Sequence, residues 1–179
     1  MITNTEQNTR TQTVKRYWFA LYTKPRSEFK AAEQIKSVDV EFYLPSVVKV
    51  RQWSDRKKKI TEPLLKGYIF IYANEKERIL SLEQYSVVRC ISERGQPARI
   101  PDWQIENLKK MLTNRSEFYV KEGLVRGTKV KIKEGPFEGV TGTFQEIDNE
   151  KTIAVSIDLL NRSVVAHLPR ESVLEIIKS

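Results

Sequence analysis

Residues 62–71 read EPLLKGYIFI, and this stretch decides the fold of the N-terminal part of the chain. Its proline and glycine are turn-forming residues, and the β-branched and aromatic run after them is typical of a β-strand. Because strand side chains alternate, Tyr68 and Phe70 share one face, whereas Ile69 and Ile71 lie on the other. A strand that is apolar on both faces needs two covers. We expect helices of the same chain on one face and a second cover, such as a partner, on the other.

Apolar periodicity predicts a mixed α+β domain over residues 15–113. A strand at 17–22 is followed by a helix over 26–37, and Asn74 and Asp102 stand where they can cap two later helices. The order of elements is strand, helix, strands, strand, helix, strand, helix. This order predicts an antiparallel sheet covered by helices on one side.

The pattern changes after residue 124. Residues 125–179 contain five short β-branched runs separated by turn signals, which favours a small closed β-barrel, since closure removes exposed edges. Residues 114–124 are charged and weakly patterned, and we predict a linker there. Residues 1–14 are polar and lack the features of a signal peptide, so we predict a disordered tail on a cytoplasmic protein.

The positive charge is confined to the first two thirds of the chain. The net charge is +8; residues 1–124 hold 23 Lys or Arg and 15 Asp or Glu, and residues 125–179 hold eight of each kind. A basic excess favours a polyanionic partner, most often nucleic acid. The alternative is that the charge serves solubility alone.

Catalytic and metal-binding patterns are missing from the sequence. Cys90 is the only cysteine and lies in an apolar run, which indicates a structural thiol, and His167 is the only histidine. No phosphate-binding loop or dinucleotide motif occurs. No apolar run approaches the ~20 residues of a membrane span. We therefore expect a binding protein without catalytic activity, metal, cofactor or membrane contact.

Two groups of motifs resemble a known family. Residues 125–130 (VRGTKV) and 134–140 (EGPFEGV) resemble a KOW motif. Further segments resemble, in the same order, the N-terminal domain of the NusG family; these are 17–22, 44–45, 54–59, 63–70, 87–89 and 100–102. The resemblance covers roughly residues 15–178. Within the family, EPLL is most similar to the specialised paralogues, which include RfaH and regulators of capsule operons. Lys66 is a departure, since the family usually has proline there.

The resemblance implies a fold and a function. The fold is a NusG-type N-terminal domain followed by an SH3-like KOW barrel. The function is transcription elongation and antitermination by a cytoplasmic, monomeric factor. The N-terminal domain would bind the clamp helices of bacterial RNA polymerase beside the DNA of the transcription bubble. The KOW domain would recruit a protein such as a small-subunit ribosomal protein or a termination factor. The alternative is a ribosome- or RNA-associated KOW protein, for which a basic KOW domain is expected instead of the neutral one found here.

The resemblance also implies contact residues. Tyr22, Leu65, Tyr68 and Phe70 match the family's apolar polymerase-binding patch, and rigid aromatic side chains dominate protein interfaces. The alternative is that they are ordinary core residues. We favour contact for the three aromatic residues and leave both readings open for Leu65.

Four consecutive cations are candidates for nucleic-acid binding. Arg56, Lys57, Lys58 and Lys59 are predicted at a hairpin tip, where they can neutralise phosphates; the alternative is a solvated tip kept charged to prevent edge pairing. Lys24, Arg26 and Lys30 can extend this basic surface; RfaH-type paralogues read the exposed non-template strand near there.

Leu160 marks a candidate partner site on the C-terminal domain. It lies at a turn and matches an apolar residue that the family uses to bind the KOW partner, although a partly buried loop leucine fits slightly better. Alternating β-branched residues over 152–166 favour strands, and glycines at 135, 139 and 142 oppose a helix. We therefore predict a barrel on a flexible tether that leaves Tyr68 and Phe70 uncovered.

Overall fold

The computed structural model describes residues 14–53, 56–114, 116–147 and 149–177. The predicted tail lies outside these ranges, apart from Val14. The N-terminal elements are β1 (Tyr17–Thr23), α1 (Glu28–Ser37), β2 (Glu41–Tyr43), β3 (Ser46–Gln52), β4 (Lys57–Pro63), β5 (Tyr68–Ala73), α2 (Glu75–Leu82), β6 (Val87–Cys90), β7 (Ser92–Glu93), β8 (Gln96–Pro97), β9 (Arg99–Ile100) and α3 (Asp102–Leu112). The C-terminal elements are β10 (Phe118–Glu122), β11 (Thr128–Glu134), β12 (Thr141–Ile147), β13 (Glu150–Ile157), a 3-10 turn at Asp158–Leu160, β14 (Arg162–His167) and β15 (Val173–Ile176). No helix in the described ranges is long and apolar enough to cross a bilayer.

The N-terminal domain is built on an antiparallel sheet of order β2-β5-β1-β6, with β9 also paired to β1. The stretch EPLLKGYIFI supplies the turn before β5 and most of β5 itself. In the register between β1 and β5, Tyr22 lies opposite Tyr68 and Ala20 lies opposite Phe70. The predicted α+β class is confirmed.

Helices cover both faces of this sheet, so the prediction of helices on one side is wrong. The first face packs against α1 and involves Phe19, Leu21, Ile69, Ile71, Ala31, Ala32 and Ile35. The second face packs against α3 and involves Trp18, Ala20, Phe70, Ile105, Leu108 and Met111. The sequence pattern shows that both faces need a cover, but it does not show which helix supplies it.

Two of the predicted helix starts differ in their caps. Asn74 forms a capping box at α2: its Oδ1 accepts from the Glu77 N–H at 3.0 Å, and the Glu77 side chain accepts from the Asn74 N–H at 2.8 Å. The cap predicted at Asp102 is wrong, because α3 begins at that residue, after Pro101. Asp102 instead lies in the first turn, where a negative charge stabilises the helix dipole.

Strands β3 and β4 form a separate two-stranded hairpin. The structure places Lys57, Lys58 and Lys59 inside β4, where the sequence analysis placed them at the tip. The sequence did not predict a strand at these lysines, because strands are recognised by alternating apolar residues and all three lysines are polar and exposed. The hairpin therefore presents its charges along a strand.

The C-terminal domain is a six-stranded antiparallel sheet of order β10-β14-β13-β12-β11-β15. Its inward-facing side chains enclose Phe137, which is 0% exposed. They include Val130, Ile132, Val140, Ile153, Val155, Ile157, Val164 and Ala166. This sheet is consistent with the predicted KOW fold.

The stretch predicted as a linker contains strand β10, which pairs with β14. Its apolar run is only three residues long, Phe118 to Val120, with charged residues on both sides, and the pattern is therefore weak. The predicted linker is thus wrong for Phe118–Glu122, which belong to the C-terminal sheet.

Candidate functional site

The turn before β5 has a defined shape. The Tyr68 N–H donates to the Leu65 carbonyl at 3.1 Å, and Gly67 has a φ of +81°. Gly67, the third residue of the turn, has a positive φ and Lys66, the second, does not; this combination is type II, which favours glycine at the third position and proline at the second. Lys66 occupies the position that favours proline. The departure from the family pattern thus leaves the type of turn intact.

Tyr22 and Tyr68 form an aromatic pair beside this turn. Their ring centroids are 5.6 Å apart at an interplanar angle of 60°, which is an edge-to-face arrangement, and both side chains are half-buried. The Arg89 guanidinium lies 5.9 Å from the Tyr22 ring. Gly67 lies against the Tyr22 ring, since a Cβ at residue 67 would stand 3.0 Å from its Cε2. We call Tyr22 and Tyr68 the tyrosine pair.

Leu65 and Phe70 are core residues. Their exposed fractions are 2% and 0%, and the Phe70 ring stacks on Tyr43 at 6.3 Å beneath α3. The interpretation of Phe70 as an exposed contact is therefore corrected, and for Leu65 the structure favours the core reading. The four residues of the matched patch are neighbours, but only the tyrosine pair reaches the surface.

A cleft of about 380 Å³ lies between the two domains next to this patch. Leu65 and Tyr68 line its N-terminal side, and Phe118 and Val120 of β10 line its C-terminal side. Five charged residues also line it: Lys49, Glu62, Lys66, Glu122 and Arg162. Tyr68 therefore faces the C-terminal domain, whereas the sequence analysis expected it to be uncovered.

Polar contacts join α3 to the C-terminal domain. The Gln104 side chain donates to Asp158 at 2.9 Å and accepts from the Asp158 N–H at 3.2 Å, and the Asn107 side chain accepts from the Thr141 N–H at 3.0 Å. Gln104 and Asn107 are 2% and 7% exposed. The C-terminal domain is thus docked on α3, and the expectation of a freely tethered domain is wrong for this structure.

The basic hairpin carries exposed cations. Arg56, Lys57, Lys58 and Lys59 are all exposed, and the Lys58 Nζ lies 5.4 Å from the Trp53 ring. Within the described ranges, no salt bridge joins these four cations to an acidic residue. Glu62 instead pairs with Arg51 and, at 3.9 Å, with Lys49, so these two cations are partly neutralised.

A second basic and aromatic surface was missed by the sequence analysis. Tyr85 is 72% exposed, and the Lys24 and Lys30 Nζ atoms lie 3.3 Å and 5.6 Å from its ring centroid. Phe29, on the same helix as Lys30, is 42% exposed. The cations were noticed in the sequence, but Tyr85 lies far along the chain from them, and only the tertiary fold brings it near. We call Lys24, Phe29, Lys30 and Tyr85 the aromatic platform.

Leu160 and Cys90 are less accessible than a binding or reactive role requires, whereas His167 is exposed but has no partner for metal binding in the described part of the chain. Leu160 is 7% exposed and packs in the core, which supports the loop-leucine alternative. Burial raises the pKa of the Cys90 thiol, which favours the unreactive protonated form. His167 lies exposed on β14, and no group of three metal-ligating side chains occurs in the described part of the chain.

Comparison with known proteins defines the class. Residues 16–109, more than half of the chain, match the family model NusG, described as transcription termination factor nusG. The chain therefore belongs to the NusG family, and the resemblance found in the sequence is confirmed. It is a transcription termination and antitermination factor.

Relatives match over most of their length. The chain is 25% identical over 175 residues to the transcription termination/antitermination protein NusG of Helicobacter pylori (strain ATCC 700392 / 26695), covering 89% of this chain and 98% of the relative. It is 26% identical over 174 residues to the protein of that name from Campylobacter jejuni, covering 89% and 97%. A solved structure, "Domain interaction in Thermotoga maritima NusG", is 25% identical and covers 86% of this chain and 94% of that one, with a TM-score of 0.46.

Proposed function

We propose that this factor binds bacterial RNA polymerase through its N-terminal domain and recruits a protein partner through its C-terminal domain. The observation that carries the proposal is the tyrosine pair, a rigid aromatic surface at the position the family uses for polymerase contact. Tyrosine rings provide a large contact area at low entropic cost, and such residues are enriched at the centres of interfaces. The clamp helices of the polymerase are the expected target.

The test of this proposal is a binding titration. Labelled protein is titrated with purified core polymerase without nucleic acid, and we expect saturable binding. An excess of the isolated clamp-helix segment should compete with it. Absence of saturable binding at micromolar polymerase would contradict the proposal.

For the C-terminal domain to bind a partner through Leu160, this side chain must first become accessible. Leu160 is buried, and its turn begins at Asp158, which is bound to Gln104 of α3. A partner that uses Leu160 would therefore need this turn to leave α3. We expect partner binding to be stronger when the Gln104 contact is absent.

The basic hairpin is proposed to contact DNA next to the transcription bubble. If Lys57 and Lys59 neutralise phosphates, changing both to serine should lower the slope of log affinity against log salt by about 0.9 for each lost contact with duplex DNA. The measurement is binding to an assembled elongation complex at several salt concentrations. The matched control is Lys76→Ser with Lys110→Ser, which removes the same charge from exposed helical positions. An equal slope for hairpin and control variants would favour the solvated-hairpin alternative.

The aromatic platform is proposed to bind an unpaired strand of the bubble. Exposed rings stack on bases, and neighbouring lysines hold the phosphates, in many proteins that bind single strands. Replacing Tyr85 with alanine should cost ~1–3 kcal/mol of binding to a single-stranded oligonucleotide. Tyr85→Phe keeps the stacking face and should bind nearly as the wild type does. Fluorescence anisotropy measures both variants, and equal affinity of Tyr85→Ala and the wild type would rule out stacking on this ring.

A further inference from the structure

We propose that Glu28 is a positioning residue for the tyrosine pair: its buried carboxylate fixes the peptide of the type II turn on which the pair rests. This inference rests on the proposed role of the pair in polymerase binding. It concerns how the chain shapes that surface in the absence of the usual proline.

Glu28 binds a backbone amide. It is the first residue of α1 and is 6% exposed, and its Oε1 accepts from the Gly67 N–H at 2.7 Å. Glutamate is rarely buried unless it has a partner. No salt bridge to Glu28 occurs in the described ranges, so the backbone of the turn is the partner that the structure gives it. A hydrogen bond with an ionised acceptor is about twice as strong as a neutral one.

The bonded peptide is the one that determines the type of turn. Types I and II differ by a flip of the central peptide, which joins Lys66 to Gly67 and carries the Gly67 N–H. The Glu28 carboxylate holds that N–H in the orientation of type II. On the other side of the same residue, the Gly67 carbonyl accepts from the Thr23 N–H at 2.9 Å. Gly67 thus links α1, β1 and the turn.

The tyrosine pair rests directly on this residue. The Tyr22 ring lies so close to Gly67 that a side chain at this position would place its Cβ 3.0 Å from the ring. Tyr68 is the next residue in the chain. A flip of the central peptide would move the support of one ring and the backbone of the other. Glu28 itself belongs to α1, on the opposite face of the sheet from Phe70.

Lys66 explains why the contact is needed. Proline at this position of a type II turn fixes φ and lowers the freedom of the turn. Lysine leaves the turn free, and the glycine beside it adds more freedom. Among the hydrogen bonds of the described loops, none has the Lys66 N–H as donor, so a proline would remove no such bond. Lys66→Pro should therefore replace the constraint that Glu28 supplies.

The experiment combines two readouts on the full chain. Amide hydrogen exchange of Gly67 in the free protein reports whether the turn is held, and titration with core polymerase reports whether the pair is positioned. We expect Glu28→Ala to speed Gly67 exchange about tenfold and to weaken polymerase binding about five- to tenfold, the scale of one intramolecular hydrogen bond. Glu28→Gln keeps an acceptor oxygen and should stay within about threefold of the wild type.

Two further variants distinguish positioning from a general loss of stability. Adding Lys66→Pro to Glu28→Ala should restore polymerase binding to within about twofold, because the proline fixes the turn by itself. Glu33→Ala removes an exposed carboxylate from the same helix and should change neither readout. If Glu28→Ala does not fold, Glu28→Leu with and without Lys66→Pro decides instead: leucine keeps most of the volume but removes the acceptor, and only the form with lysine should lose affinity.

Several outcomes would overturn the inference. Unchanged Gly67 exchange in Glu28→Ala would show that the carboxylate does not hold the turn. Faster exchange with unchanged polymerase binding, or failure of Lys66→Pro to restore binding, would show that the turn does not position the pair. If Tyr68→Ala binds polymerase as the wild type does, the proposed function of the pair fails; Gly67 exchange would still show separately whether Glu28 holds the turn.

Discussion

Replacing Tyr68 with alanine is expected to weaken core polymerase binding about 30-fold, or ~2 kcal/mol, the cost typical of a central aromatic anchor. The change removes one ring of the tyrosine pair and leaves the Tyr22 ring without its edge-to-face neighbour at 5.6 Å. Tyr68 is half-buried, so part of the ring is available to a partner. The measurement is the titration with core polymerase in the absence of nucleic acid.

Three variants serve as controls for this result. Tyr68→Phe keeps the ring and should bind within about threefold of the wild type, since the hydroxyl supplies only a small part of such a contact. Tyr85→Ala removes a ring that is 72% exposed on the aromatic platform, and it should bind polymerase normally without nucleic acid. Phe70→Ala should mainly lower thermal stability, because the ring is buried. A folded Tyr68→Ala protein with wild-type affinity would show that the pair does not contact the polymerase.

Replacing Phe137 with alanine is expected to destabilise the C-terminal domain by ~3–5 kcal/mol, the range for removing a large buried aromatic side chain. Phe137 is 0% exposed and lies in the core of the C-terminal domain, where its ring meets Phe118 edge-to-face at 6.4 Å. The turn that carries it depends on Gly135 and Gly139, whose φ angles are +112° and +79°.

This variant also tests the predicted division into two domains. Chemical denaturation in a Trp103→Phe background, followed by tryptophan fluorescence, reports the N-terminal domain, since Trp18 and Trp53 precede residue 113 and Trp103 faces the C-terminal domain. We expect this transition to remain while the β-sheet signal of the C-terminal domain is lost at lower denaturant. Phe137→Leu retains most of the volume and should cost about 1 kcal/mol. A single transition that moves as a whole would show that the chain unfolds as one cooperative unit.

Local patterns in the sequence were sufficient for most of the fold. An apolar and aromatic run predicted β1, a β-branched and aromatic run predicted β5, Asn74 predicted the start of α2, and β-branched runs between turn residues predicted the strands after residue 125. These signals are local, because a strand or a cap is defined within a few residues. Strand β10 was not predicted, because a local signal must be strong within a few residues and only two of its five residues are apolar and face inward.

The candidate site was harder to predict. Alternation placed Tyr68 and Phe70 on one face and the family resemblance added Tyr22, but neither shows where α3 ends on that face. Phe70 lies beneath α3 and the tyrosine pair lies beyond it, so one face contains both core and surface. The docking of Gln104 on Asp158 and the approach of Lys24 to Tyr85 depend on residues that are distant in the chain. Such contacts form only when the chain has folded, and the spacing of apolar residues in the sequence does not predict them.

The pairing of β10 with β14 limits how far the C-terminal domain can move from the N-terminal domain. Only residues 113–117 separate the end of α3 from β10, and five residues span at most about 17 Å when fully extended. A C-terminal domain released from α3 would still be joined to the N-terminal domain by this short segment, which limits the distance between the two. A protein captured by it would be kept within a few nanometres of whatever the N-terminal domain occupies, at an effective concentration on the order of millimolar. A weak affinity of the C-terminal domain for its partner would then suffice, because the N-terminal domain determines where that partner is delivered.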